Sequence, residues 1–470
     1  MLPTPQKYTA SPRIYRAGVK STVTIVPEGR TFLFPEGVTY TLKISGINDD
    51  EPWYHSPSVW DVIDVVAKDG VLRFDYVFDA EQEYQIRMCR DDLDVQKIAV
   101  YALEEDLYAL RPLRGDLHSH TYRSDGTRDA AEQFGYYREQ GYDFQALTDH
   151  NRYYPGLEID EVYDGLKLGI AHVQGEEVHT PGSTVHIVHV GGKSSVADIY
   201  IHDRERYERE MVEYRANVPA EIPETQKERY AEAMWSCDRI HDAGGLAIFP
   251  HPYWRCGKNS SYNVCDGLTI AMLKSGKFDA FELVGGMRTR GINRAVALLH
   301  ELRAQGFDIP LVGSSDVHDL TAKDFPYHFT VCFARENNND AIIEAVKNGM
   351  SVAVEMTGVE YSREYRAYGS LRLVTYAHFL LEHYFSDLQR ACQGEGVAMR
   401  FYAMGLADKA TVEAAAKLGT DFSDRFFGRT PVALPDAAML AFEDKWRAVH
   451  EKSPISKGSV IDTDKFTRQM

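Results

Sequence analysis

Leu113-Arg114-Gly115-Asp116-Leu117-His118-Ser119-His120-Thr121-Tyr122-Arg123-Ser124-Asp125-Gly126 is the stretch on which the fold turns. A short run leads into two histidines one residue apart, and a loop ending in Asp-Gly follows. On a strand alternate side chains share a face, so His118 and His120 can point at one ion. The same grammar recurs where Phe144-Gln145-Ala146-Leu147 leads into Thr148-Asp149-His150-Asn151. Gly175-Glu176-Glu177-Val178, His186, His251-Pro252 and Asp316-Val317-His318 come later, mostly just after apolar runs. Twelve of the 17 histidines fall between His118 and Asp319, so a random scatter of core histidines does not explain the series. Imidazoles and carboxylates converging from many strand ends are what a multinuclear site for divalent metal needs.

Working outward, strands alternate with amphipathic helices from Leu113 on. Thr127–Gln140 carries Ala130, Phe134 and Tyr137 at helical spacing and stops at Gly141. Phe144–Leu147, Leu246–Phe249, Phe278–Leu283 and Ile309–Val312 read as strands, and Ile292–Gln305 and Asp340–Asn348 as helices. The alternation predicts a parallel sheet, and its length fits a barrel. A charged insertion, Val196–Ser236, interrupts it, and Arg204–Glu210 reads as a solvated helix face. Ahead of the barrel, residues 10–110 hold short alternating strands separated by turns, which predicts an antiparallel sandwich. Its one histidine, His55, gives no chemistry, so a structural or assembly role is expected there. After Glu355 the chain reads as helical. Leu371, Val374, His378, Leu381 and Phe385 mark one face, Tyr361, Tyr365 and Tyr368 a stripe before it, and both read as packing surfaces. The tail after Ser453 is polar. The expected division is 1–112, 113–355 and 356–470.

A chain of 470 residues, 44% hydrophobic and 26% charged, has the composition of a globular protein of two or three domains. Its net charge of −18 argues against binding nucleic acid by broad phosphate neutralisation, though local metal charge leaves a phosphorylated substrate open. Met1–Lys7 has no apolar core of signal-peptide length, and no apolar run is long enough to span a membrane. The six cysteines lack CxxC spacing, and free thiols in a reducing cytoplasm are expected.

The strings GDLHSHTYRSDG, GYDFQALTDHN, GEEV, HIVHVGG, HP and SSDVH resemble the polymerase and histidinol phosphatase (PHP) superfamily over about Leu113–Glu355. A β-domain ahead of them further resembles the carbaryl-hydrolase (CehA/McbA-like) branch, whose leading domain is immunoglobulin-like. The resemblance implies a distorted (β/α)7 barrel with two or three metal ions, Mn, Zn or Fe with Mg also open, at the C-terminal ends of the strands. It implies that His118, His120 and Asp316 hold one ion, with Glu177 bridging to a second held by His186 and His251. Asp125, His150 and His318 would hold a third, and the hard carboxylate of Asp125 would weaken that position or favour Mn or Mg over Zn. The Gly-x-Glu-Val pattern favours Glu177 over Glu176 as the bridge. His186 and His189 face opposite sides of a strand, and the family pattern favours His186. His172, His179, His202, His241 and His300 are expected in packing or surface roles.

Such a centre would hydrolyse an ester with a metal-bound hydroxide. The first expectation is a phosphoesterase acting on a small phosphorylated molecule, because arginine forks suit phosphate and Arg123, Arg152, Arg255, Arg288 and Arg290 lie beside the motifs. Arg255 and Arg288 are the preferred substrate contacts, and Asp149 is expected to orient His150 or a neighbour. The alternative is a carboxylic or carbamate ester hydrolase. A purely structural metal module is disfavoured, since structural sites close their coordination with few ligands. The expected partner is a small-molecule substrate, with no nucleic acid and no membrane, and a homo-oligomer is left open.

Overall fold

The computed structural model describes residues 7–29, 32–48, 61–91, 93–256, 261–320, 325–358 and 363–452. His55, Tyr361 and the tail after Ser453 lie outside them. Two compact units form, one spanning Glu105–Ser423 and the other joining the N-terminal strands to the segment from Asp424 on. These borders differ from the 112/113 and 355/356 divisions that the sequence suggests.

The N-terminal strands are β1 (Tyr8–Ser11), β2 (Ile14–Arg16), β3 (Lys20–Pro27), β4 (Thr39–Gly46), β5 (Asp61–Val66), β6 (Leu72–Val77), β7 (Gln82–Arg90) and β8 (Leu93–Leu103). They make a sheet β1-β3-β6 and a second sheet β2-β8-β7-β4-β5. Val23, Ile25 and Leu72 from one meet Leu42, Ile44, Ile86 and Ile98 from the other in a single core, the arrangement of a sandwich. In β4, and in β7 as far as Met88, every second residue is buried, as the period of a half-covered strand requires.

The larger unit opens with α1 (Glu105–Tyr108) and β9 (Arg111–Asp116). It continues through α2 (Ala130–Glu139), β10 (Phe144–Leu147), α3 (Pro155–Val162), β11 (Ala171–Val178) and β12 (Ile187–Val190). The insertion forms α4 (Ala197–His202), α5 (Arg204–Ala216) and α6 (Lys227–Asp242). Then come β13 (Leu246–Phe249), the hairpin β14 (Arg255–Cys256) and β15 (Ser261–Tyr262), α7 (Asp266–Lys274), β16 (Ala280–Val284), α8 (Thr289–Ala304) and β17 (Leu311–Gly313). Last are β18 (His328–Ala334), α9 (Asn339–Lys347), β19 (Ser351–Thr357) and β20 (Glu364–Tyr368), followed by α10 (Leu371–His383), α11 (Phe385–Ala403) and α12 (Lys409–Phe426). In the other unit α13 (Ala437–Lys452) follows.

One ten-stranded sheet runs β17-β16-β13-β12-β11-β10-β9-β18-β19-β20. It curls into a nearly closed barrel. Thr330 Oγ1 donates to Gly313 O (2.7 Å) and Ser351 Oγ to Leu311 O (2.8 Å), tying β17 back to β18 and β19. Leu113, Phe144, Val173, Val188, Leu246, Ala280 and Val312 pack together as one buried cluster.

The sheet is mixed rather than parallel. β9, β10 and β11 run parallel, as do β13, β16 and β17, but β12 is antiparallel to both of its neighbours. A short connection after β11 forces this, because a parallel return needs a crossover of a dozen or more residues. The sheet also runs past the expected border at 355. Tyr365 and Tyr368 pair with Met356 and Ala353 as part of β20, not as a helical stripe.

The C-terminal helices α10–α12 belong to the barrel unit. Gly135 of α2 and Gly396 of α11 allow backbone approach so close that a Cβ on Gly396 would lie 2.2 Å from Glu139 N. Beside that contact Arg138 forms a buried ion pair with Glu395 (2.5 Å) and another with Asp143 (3.1 Å). The insertion is likewise packed. Its outer face carries the exposed Arg204–Glu208 pair, while Tyr207, Met211 and Trp235 are buried beneath. Among the described residues no helix is long and apolar enough to cross a membrane.

Candidate metal centre

β9 ends at Asp116, and the extended segment beyond it carries His118 and His120, both fully buried. Asp116 anchors that segment, accepting from His118 N (3.1 Å), Ser315 N (3.0 Å) and Tyr137 Oη (2.8 Å). The 315–317 run is thereby held alongside, with His120 N donating to Val317 O (2.9 Å). This brings Asp316 Oδ1 to 3.3 Å from His118 Nε2 and 3.1 Å from His120 Nε2.

β11 contributes the central carboxylate. Its alternation sends Glu176 and Glu177 to opposite faces. Glu176 meets His189 Nδ1 (3.2 Å) and accepts from Ser195 Oγ (2.8 Å), away from the cluster. Glu177, fully buried, lies 3.4 Å from both His118 Nε2 and His120 Nε2, and 2.7 Å from both His150 Nδ1 and His186 Nδ1. His251 Nε2 is 3.4 Å away. The reversal of β12 explains why His186 precedes its strand while the other histidines follow theirs: the start of a reversed strand lies at the same barrel end as the finish of its neighbours. At the outer side Asp125 Oδ2 reaches His150 Nε2 (3.4 Å) and His318 Nε2 (3.3 Å). Gly286, at φ +54°, completes the floor, since a Cβ there would come within 2.8 Å of Asp316 Oδ2.

All nine residues expected to hold metal therefore lie together. They form overlapping donor sets: His118, His251 and Asp316; His118, His120 and Glu177; Glu177, His186 and His251; and His120, Asp125, His150 and His318. His150 Nδ1, His186 Nδ1 and both Glu177 oxygens are buried yet make no hydrogen bond, although they stand within contact of one another. Buried polar atoms are rarely left without partners. Lone pairs turned toward shared points in this way fit divalent cations with nitrogen and oxygen ligands.

The electrostatics agree. Burial opposes a charge on Glu177, yet the imidazoles of His186 and His118 hold its carboxyl well below the usual range. Burial also works against a charged His150, but Asp125 and Glu177 overcome it and raise it to about 10. Burial, with the neighbouring His118, carries His120 down to about 4 against the pull of Asp316 and Glu177.

Of the two roles expected for Asp149, its carboxylate takes the second: it accepts from Thr121 N (2.9 Å), Thr121 Oγ1 (2.7 Å) and Ser124 Oγ (2.5 Å) and so fixes the turn bearing Asp125 rather than His150. Two residues depart from the sequence reading. His179, expected in a packing or surface role, lies in the cluster, with its ring 3.7 Å from that of His186. Glu282 of β16, fully buried, stands 3.0 Å from His118 Nδ1 and was not singled out at all. Arg123 pairs with Glu158 (2.7 Å), Arg152 donates to Tyr154 Oη (2.9 Å), and Arg255 and Arg288 are exposed, Arg288 two residues beyond Gly286. Trp254, 41% exposed, places its ring 6.1 Å from that of His186.

No family model matches the chain, and no curated protein does. Among solved structures it is similar to a two-domain protein of Bacteroides vulgatus containing a predicted PHP-like metal-dependent phosphoesterase, at 18% identity and a TM-score of 0.36, over 54% of this chain and 73% of that one. A candidate metal-dependent phosphoesterase of Bifidobacterium adolescentis matches at 18% identity and 0.32, over 45% and 89%. An amidohydrolase of Chromobacterium violaceum matches at 17% and 0.30, over 44% and 88%. With scores this low, the chemistry of the centre has to be read from its own residues.

Proposed function

We propose that the chain is a metal-dependent hydrolase of the PHP type acting on a small-molecule ester, with a phosphoester as the first substrate class. The observation that carries this reading is the set of buried, unpartnered donor atoms converging on Glu177. His118, His120 and Asp316 would hold one cation, His186 and His251 a second, and Asp125, His150 and His318 a third, with Glu177 shared between the first two. When bound, divalent cations acidify water and draw charge from the oxygens of the scissile group.

The chain's own residues do the rest. Glu177, ionised and shielded, would counter the repulsion between neighbouring cations. Glu282 fixes the His118 ring, so that its other nitrogen faces the centre. Asp149 holds the Thr121–Ser124 turn and thereby the position of Asp125. Arg288, exposed beside Gly286, is the candidate for binding non-bridging phosphate oxygens, with Arg255 second.

A carboxylic or carbamate ester is the second reading, and Trp254 favours it. An exposed indole beside His186 and His251 offers an apolar wall suited to an aryl leaving group. The deciding experiment reloads metal-free protein separately with Mn²⁺, Zn²⁺, Fe²⁺ or Mg²⁺ and assays phosphomonoesters, phosphodiesters, aryl esters and aryl carbamates. The phosphoesterase reading expects phosphoesters to be the better substrates and Arg288→Ala to raise their KM selectively. Faster turnover of neutral esters, unaffected by Arg288→Ala and Arg255→Ala, would overturn it in favour of the second.

A further inference from the structure

We propose that His179 is a further metal donor, forming with His150 and Glu177 an inner position for the outermost cation, and that the insertion sets its placement through Tyr200 and Asn151. This rests on the metal-centre reading above.

His179 follows Glu177 by two residues, where the extended chain past β11 returns side chains to the same face. Its Nε2 is buried, makes no hydrogen bond and lies 3.7 Å from Glu177 Oε2. The ring centroid is 4.4 Å from that of His150, whose Nδ1 is also buried and unpartnered. One ligand atom from each of His150, Glu177 and His179 falls within 4.8 Å of the others, a spacing that one cation can span with bonds of about 2.0–2.2 Å. Outside the centre His172, His189 and His241 each set one ring nitrogen at 2.8–3.2 Å from a carboxylate of their own, Asp160, Glu176 and Asp279, though His172 Nε2 and His189 Nε2 are also without a hydrogen bond. His179 instead turns its Nε2 toward Glu177, the carboxylate around which the whole centre is built, with its ring against those of His150 and His186.

His150 occupies a branch point. Its Nε2 faces Asp125 (3.4 Å) in the outer set and its Nδ1 faces Glu177 (2.7 Å) in the inner one. A neutral imidazole has one lone pair and serves one cation at a time. The outer set is half open to solvent, with the Asp125 side chain 53% exposed, whereas Glu177 is fully buried. The inner position therefore gives the third cation a drier seat, with two imidazoles and a buried carboxylate, a donor set that borderline ions such as Zn²⁺ or Fe²⁺ accept.

The placement of His179 is imposed from outside the centre. Its backbone N donates to Asn151 Oδ1 (2.7 Å), and the same oxygen accepts from Tyr200 Oη (2.6 Å). Asn151 takes the left-handed backbone that asparagine tolerates, φ +54°, and its N donates to Glu177 O (2.8 Å). Tyr200 lies on α4 of the insertion and is buried. One amide oxygen thus connects the insertion to the metal-facing histidine, and Tyr200 is a positioning residue.

The test is equilibrium dialysis of the full chain against graded free Zn²⁺, with elemental analysis, together with absorption spectra of the Co²⁺-loaded protein. Wild type, His179→Ala, Tyr200→Phe and His202→Ala are compared. His179→Ala is expected to weaken one class of site at least tenfold and to change the Co²⁺ bands, leaving the tighter sites filled. Tyr200→Phe, which keeps the ring and loses only the hydroxyl, is expected to weaken the same class several-fold and shift the same bands, while the exposed His202→Ala does neither. Wild-type stoichiometry, affinity and Co²⁺ spectrum in folded His179→Ala would overturn the donor role alone. Should that variant not fold, unchanged binding and spectrum in Tyr200→Phe would overturn the proposal. Failure of the wild type to retain any cation would overturn the metal-centre reading and this proposal with it.

Discussion

Replacing Glu282 by Gln tests whether residues behind the donors set the affinity of the centre. Glu282 is fully buried, and its Oε2 lies 3.0 Å from His118 Nδ1, while its Oε1 makes no hydrogen bond. The substitution keeps shape and can keep one acceptor toward His118. It removes the charge that makes the opposite ring nitrogen a stronger donor, and it puts an NH₂ group where Oε1 now has no partner. Loss of such a supporting carboxylate lowers metal affinity by about 10–100-fold, roughly 1.4–2.8 kcal/mol. A buried amide left unsatisfied costs about 1–3 kcal/mol of stability. Two assays separate the effects: competition for Zn²⁺ with a chelator of known affinity, and urea unfolding of the metal-free protein. The expected result is weaker binding in the first and a modest loss in the second. Affinity within twofold of wild type would refute the orienting role, whatever happened to stability.

Glu177→Gln is expected to abolish hydrolysis and empty at least one cation position, because a neutral amide cannot hold two cations together. Near-normal turnover with the metal complement intact would show that Glu177 does not bridge. Glu395→Gln leaves the buried Arg138 with Asp143 and the Tyr142 carbonyl and should lower unfolding stability by about 3 kcal/mol, the low end for a broken buried pair, without altering metal content; an unchanged urea midpoint would contradict this. The carboxylates that raise His150 to about 10 keep it protonated at neutral pH when no cation is bound. Cations must displace that proton, so affinity should rise with pH from about 6 to 9, with proton release seen by calorimetry in buffers of different ionisation enthalpy. Affinity that is flat across this range would rule out the competition.

Much of the centre was legible because its donors sit in short clusters after apolar runs; alternation keeps His186 and His189 from both facing it, while the choice of Glu177 over Glu176 and of His186 over His189 came from the likeness to PHP sequences. Glu282 carried no such mark. It is a lone acid inside the strand Ala280–Val284, and its meaning depends on a histidine 164 residues away across the barrel. His179 could have been found by counting two residues on from Glu177, had the strand been read past Val178. In the fold, individual strands and helices were readable to within a few residues, as with α9 at Asn339–Lys347 against the expected Asp340–Asn348. Strand direction was not, because periodicity is the same for parallel and antiparallel partners. Tyr365 and Tyr368 were misread for a related reason, since three-residue spacing suits a helix until an edge strand such as β19 is there to pair with.

The reversed strand β12 also divides the centre by distance along the chain. Glu177 and His186 belong to one hairpin and come together on closing a short loop, an event of low entropic cost. His118 and Asp316 stand 198 residues apart and meet only when β17, at one edge of the sheet, has come round to β9. The hairpin half can thus form before the barrel does, offering an early foothold for a cation while the rest of the chain is still folding. The half that requires closure has the longer loop to close, and it is the pairing between His118 and Asp316 that a chain with an open barrel loses first.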